Sequence, residues 1–179
     1  MAILRTSQSP PPIDPDTQSP ESNSIDRIAE FYKDLSAAAV DLNAASDELG
    51  KSVVELDNAL KILNLGITTW IRVSTRKDPN GDYGIHKLGY TKIGGRWGIA
   101  LRAIDGNESY PEEADVEQWL FNDAPRALRI EAVDKIPELL AGLIGEARNT
   151  SQKIREKTNH ASQLSAAIKR AATELRSEK

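Results

Sequence analysis

A chain of 179 residues suffices for one ordinary domain, or for a small domain carried on something elongated. Its composition, 39% hydrophobic but only 5% aromatic and 28% charged, suits long helices better than a thick globular core. The absence of cysteine excludes a disulfide framework, thiolate metal sites and cysteine nucleophiles, and a net charge of −4 argues against general affinity for nucleic acid.

Met1 to Arg5 leads at once into "TSQSPPPIDPDTQSPES", a Pro and Ser tract with one apolar residue. Such a segment cannot bury enough surface to offset its ordering entropy, so residues 1–23 are expected to be a disordered tail. No apolar run there has the length of a leader or a membrane span, and the expectation is a soluble, cytoplasmic protein without membrane association.

From Ser24 the pattern turns to period seven: Ile28, Leu35, Leu42, Leu49, Leu56 and Leu63 fall at one heptad position. That spacing keeps one seam of a helix facing a partner, so residues 24–65 are expected to form a coiled-coil helix, with Ser24 as N-cap and Gly66 as its stop. A matching series closes the chain: Leu140, Ile154, Ile168 and Leu175, with Val133, Ala147 and Ala161 in the same phase. Proline is tolerated only in a first turn, so Pro137 marks the start of this second long helix, residues 137–179.

Two helices of nearly equal length, about 60 Å each at 1.5 Å per residue, suggest an antiparallel hairpin. In the register that opposes Leu63 to Leu140, Leu35 meets Ile168 and Leu42 meets Ala161, while Ser46 with Lys157 makes a polar layer of the kind that fixes register. Ser24 to Leu65 carries net −4 and Glu138 to Lys179 net +3, which favours pairing of the unlike helices.

Between them, residues 66–136 have the chemistry of a small globular head, holding all three Trp and three of the four Tyr. Ile67–Arg76, Tyr83–Ile93 and Arg96–Ile104 read as antiparallel strands joined by "DPNGD" and "IGGR" turns, with a fourth short strand at Gln118–Phe121. A Gly94-Gly95 hairpin opposes Lys92 to Trp97, Tyr90 to Ile99 and Leu88 to Leu101 on an apolar face, and Lys87 to Arg102 on the other. In "NDAPRALRIEAVDKIPELL", Asn122 or Asp123 caps a short helix that places Leu128, Ala132 and Ile136 over the sheet.

The glycines of "LGYTKIGGRWGIALRAI" are not a phosphate cradle. Gly94 is followed by Gly95-Arg96 where a P-loop needs Lys and then Ser or Thr, and a strand follows where a helix N-terminus is required. The basic face is the stronger candidate: strict alternation sets Arg72, Arg76, Lys87, Arg96 and Arg102 on one side with Trp70. Against it stand the seven acids of residues 105–123, a loop on this reading, which would neutralise the sheet intramolecularly. His86 and His160 are isolated from any nucleophile, base or metal-ligand spacing, so neither catalysis, a metal nor a cofactor is expected.

The whole reads as an α+β protein: a long antiparallel coiled-coil helical hairpin with a small inserted antiparallel-sheet-plus-helix head. The expected role is a non-catalytic interaction or scaffolding protein with a protein partner, itself included, since two hairpins can pack as a four-helix dimer. The alternative is a nucleic-acid-binding head on a dimerising stalk.

Overall fold

The computed structural model describes residues 20–177, and the side chains of 24–170, 172 and 173. Most of the tail expected over 1–23, and the side chain of Leu175, lie outside the described residues; the helix begins at Pro20, since proline suits a first helical turn. The protein is α+β, with a four-stranded antiparallel sheet and three α-helices. Elements run α1 (Pro20–Ile62), β1 (Thr69–Lys77), β2 (Asp82–Ile93), β3 (Arg96–Asn107), β4 (Tyr110–Leu120), α2 (Arg126–Val133) and α3 (Ile136–Ser177). The chain divides into two units, Met1–Asp47 and Glu48–Lys179. The described part of the first is helical throughout. The second holds the sheet, α2, α3 and the last turns of α1.

Within the second unit the strands form a meander in the order β1-β2-β3-β4. The Gly94-Gly95 turn lies where the sequence places it, both residues at positive φ (55° and 83°), as a two-residue hairpin demands. It sets the expected register of β2 on β3, with Tyr90 opposite Ile99, Leu88 opposite Leu101 and Lys87 opposite Arg102. Leu88, Tyr90, Ile99 and Leu101 are buried, and Tyr90 stacks on Trp97 with ring centroids 5.6 Å apart. Burial pushes the Tyr90 phenol above its ordinary pKa, and the nearby Asp57 carboxylate adds to the shift.

Three helical segments supply the other half of this core. Leu128 and Ala132 of α2 are buried there, with Ile136 packed against them, as the periodicity predicts. Val53 and Leu60 from α1 and Leu139 and Leu143 from α3 join them. The core-facing positions of the long helices are therefore Val53, Leu60 and Leu143, which follow the first heptad row by three or four residues and complete its seam, together with Leu139, while Leu49, Leu56 and Leu140 are only partly buried at the margin. Helices resting on a sheet turn a wider stripe inward than the narrow seam of a two-stranded coil, which is why the neighbouring positions take over.

Three expectations are corrected. The first helix stops at Ile62, not at Leu65, because Asn64 takes a left-handed conformation (φ 46°) ahead of Gly66; Leu63 is thereby 62% exposed and makes no layer with Leu140. The acidic segment read as a loop is strand β4, eleven residues long and paired along β3. Phe121–Asp123, expected as strand end and helix cap, is a 3-10 turn whose Phe121 is buried, and Pro125 provides the N-cap of α2.

The outer parts of both heptad rows are exposed. Ile28, Leu35 and Leu42 in the first unit are 66%, 68% and 50% exposed, and Ile154 and Ile168 in the second are 60% and 70%.

Candidate interaction surfaces

The helices cover one side of the sheet, and strand register identifies what stands on the other. Cross-strand partners share a face, so each row of paired residues is a line across the sheet. One line runs Arg72, Lys87, Arg102, Gln118 through all four strands. On one flank lies Trp70, Gly89, Ala100, Leu120, and on the other Thr75, Ile85, Ile104, Val116. The uncovered face therefore presents a cationic row between a flat aromatic strip and an aliphatic strip.

Trp70 is held flat by its neighbours. A Cβ on Gly89 would lie 2.4 Å from Trp70 Cε3 and 2.7 Å from the Thr69 carbonyl oxygen, so the indole rests directly on the glycine backbone. Its ring carries the Arg102 guanidinium, 4.1 Å from the centroid, a cation–π contact. Arg102 Nη2 donates to Gln118 Oε1 at 3.0 Å, while its Nε is buried without a hydrogen-bond partner. With the guanidinium stacked on its ring, Trp70 acts as the support of Arg102.

Of the six residues assigned to this face from sequence, the structure brings together four: Trp70, Arg72, Lys87 and Arg102. Arg76 is corrected. The β1–β2 register shifts between Arg72 and Ser74, and the extra residue turns Arg76 to the helix side, opposite Gly84. There its guanidinium lies 3.7 Å from Asp105, with both side chains largely exposed, a contact of small energetic value. Arg96 is exposed beside the Gly94-Gly95 turn and lines a hollow with Asp57, Val53 and Asn122, away from the cationic row.

The neutralisation expected from the acidic segment is partial. Lys77 pairs with Glu108 at 2.6 Å and Arg76 with Asp105, both at the far end of the sheet. In β4, Asp115 lies opposite Asp105 and Glu117 opposite Ala103, which puts them on the helix side by alternation. Among the described residues no acid pairs with Arg72, Lys87 or Arg102.

Asp57 is a structural residue that sequence reading misses. Where β4 has ended at Leu120, the Ile99 N–H has no strand partner, and Asp57 of α1 accepts it at 2.9 Å. The same carboxylate pairs with Lys61 at 2.6 Å. The signal was a carboxylate between Val53 and Leu60 on a helix face that is otherwise apolar. Asp57→Ala is expected to cost about 1–3 kcal/mol, the penalty of an orphaned donor, read as a lower urea midpoint; an unchanged midpoint would show that water replaces the carboxylate.

Ser74, His86 and Glu131 meet where α2 crosses the sheet. His86 Nδ1 lies 2.9 Å from Glu131 Oε2 and 3.3 Å from Ser74 Oγ. A nucleophilic relay needs hydroxyl and acid on opposite ring nitrogens, whereas both partners here share Nδ1, so the group ties helix to sheet. Hydrogen bonds from Ser74 and then His86 hold the Glu131 carboxyl below its ordinary pKa. A depressed carboxyl pKa contributes stability that is complete above the unfolded value and disappears as pH falls through the folded one. The thermal midpoint is accordingly expected to fall on acidification below about pH 4.5, and Glu131→Gln to flatten that part of the profile; an identical slope in the variant would contradict the assignment.

Among the described residues, no helix is long and apolar enough to cross a membrane. No protein family, curated protein or solved structure matches the chain.

Proposed function

We propose that this chain is a non-catalytic interaction protein, in which a small α+β body displays its open sheet face and the heptad rows of α1 and α3 are coiled-coil surfaces. The observation that carries this reading is the exposure of Ile28, Leu35, Ile154 and Ile168, all 60–70% exposed at sequence positions seven or fourteen apart. Large aliphatic residues repeated along one helical face at that spacing are accounted for by a partner helix. Acidic charge flanks the first row and basic charge the second, so unlike rows fit each other in the register that opposes Leu35 to Ile168. That register can be made within one chain, as a hairpin, or between two. Leu35→Asp tests the reading: in an unpartnered helix the change has little effect, whereas in a coiled coil it lowers the melting temperature of the helical circular-dichroism signal. An unaltered melt overturns the proposal.

A second reading rests on a different observation. Arg72, Lys87 and Arg102 stand in one cross-strand row, where like charges repel, and no described acid relieves them. A phosphate backbone laid across the sheet would do so, making the open face a nucleic-acid surface. The Arg72→Glu, Lys87→Glu double variant spares the Trp70–Arg102 support and is expected to abolish a salt-dependent shift with a single-stranded oligonucleotide. No shift of the unaltered protein at low salt removes this reading.

A further inference from the structure

We infer that a hollow between the end of α1 and the β2–β3 hairpin binds a small carboxylate that carries an aromatic ring. Its residues all belong to the second unit, so the site is independent of the heptad rows. The hollow measures about 350 Å³, within the size range of small-molecule sites. Lys61 and Leu65 line it from the end of α1 and the loop that follows, and Tyr90, Arg96 and Trp97 from the hairpin. Tyr90 is 2% exposed, and its ring stacks on that of Trp97. A buried phenol normally finds a hydrogen-bond partner. The Tyr90 hydroxyl has none among the described residues, yet its oxygen is not sealed from solvent as Arg102 Nε is. Burial, and then the Asp57 carboxylate, keep the phenol protonated at neutral pH, so it is a donor without an acceptor.

Arg96 selects for charge. Among the described residues its guanidinium pairs with no acid. Asp57 and Asp123 border an adjoining hollow that Arg96 also lines, but the Asp57 carboxylate is committed to Lys61 at 2.6 Å and to the Ile99 N–H at 2.9 Å. An unpaired guanidinium offers a carboxylate two parallel hydrogen bonds. Where the chain leaves α1, Asn64 and Gly66 take positive φ, and the N–H groups of Leu65 and Gly66 donate to no backbone carbonyl among the described residues. Turns of this kind gather N–H groups in a way that favours an anion. The rest of the wall is apolar, since Leu65 and Trp97 are only partly buried against the core. A bare inorganic anion leaves that surface wet. An aromatic carboxylate covers it with its ring while its oxygens meet Arg96 and accept from the Tyr90 hydroxyl.

Naphthoate is the probe, titrated into isotope-labelled protein whose indole N–H signals report separately on Trp70, Trp97 and Trp119, the signal of Trp97 being assigned with Trp97→Phe. The inference expects the Trp97 signal to move and to saturate below about 1 mM, while those of Trp70 and Trp119 stay in place. Arg96→Gln, at an exposed position, is expected to weaken binding by about tenfold or more, the loss of a charge-assisted contact. Tyr90→Phe keeps the packed ring and is expected to weaken it several-fold. Arg76→Gln, at the far end of the sheet, is expected to bind as the unaltered protein does. Equal binding of naphthamide shows that the carboxylate is not read, and equal binding of acetate or inorganic phosphate that the ring is not; either result overturns the inference. It is overturned as well by movement of the Trp70 signal in place of Trp97, by the lack of any saturable shift, or by native affinity in Arg96→Gln.

Discussion

Gly89→Ala is expected to lower the unfolding free energy of the body by about 2–3 kcal/mol, the upper part of the range for forcing volume into a packed site. The added methyl has nowhere to go: it would lie 2.4 Å from Trp70 Cε3 and 2.7 Å from the Thr69 carbonyl oxygen. The indole can retreat, but the carbonyl belongs to the β1–β2 pairing at the Thr69 and Trp70 positions and can move only with the strand. Retreat of the indole also removes the platform under Arg102, so its guanidinium loses the stacking contact at 4.1 Å and the Gln118 bond is left as its tether. Urea unfolding followed by Trp fluorescence reads both consequences, a lower midpoint and an altered native emission from Trp70. A variant with native midpoint and native emission would mean that the indole does not rest on the glycine and that the open face is arranged otherwise.

How this face was partly legible in the sequence follows from the same residues. The register of β2 on β3 is legible because two adjacent glycines fix the turn and period-two alternation does the rest, so Lys87 beside Arg102 follows from the amino-acid sequence. Alternation fails wherever a strand carries one residue too many. The shift between Arg72 and Ser74 leaves no mark in composition, since Val73 is an ordinary strand residue, yet it moves Arg76 from the open face to the helix side. Strand β4 was hidden for another reason. Edge strands keep solvent-exposed charge and tolerate proline, so "YPEEADVEQWL" resembles a loop in composition, and what makes it a strand is the neighbouring β3 offering pairing from Asp105 to Ala100. The heptad rows were legible as periodicity, but periodicity does not say which turns face the sheet and which stay exposed.

That division within each long helix leads to the second large effect. Leu139→Ala is expected to cost about 2–5 kcal/mol, as for other fully buried leucines truncated to alanine. Leu139 is completely buried in the first turn of α3, among Leu128, Ala132, Leu143 and the sheet residues Leu88 and Leu101. Its loss therefore acts on the body alone, and the unfolding midpoint should fall by the same amount at every protein concentration. Ile168→Ala, on the same helix but 70% exposed, should behave in the opposite way. On the between-chain form of the proposed coiled coil, it leaves the body's midpoint unchanged at low concentration and at high concentration lowers it by removing the stabilisation that association would supply through mass action. Paired melts of the two variants over a hundredfold concentration range separate these cases. A concentration-dependent loss in Leu139→Ala would place the root of α3 in the association surface, and a concentration-independent loss in Ile168→Ala would place its outer row in the fold of the single chain. Helix α3 thus has two parts with different surroundings: its first turns complete the core under the sheet, and its outer turns keep an exposed apolar row among basic residues.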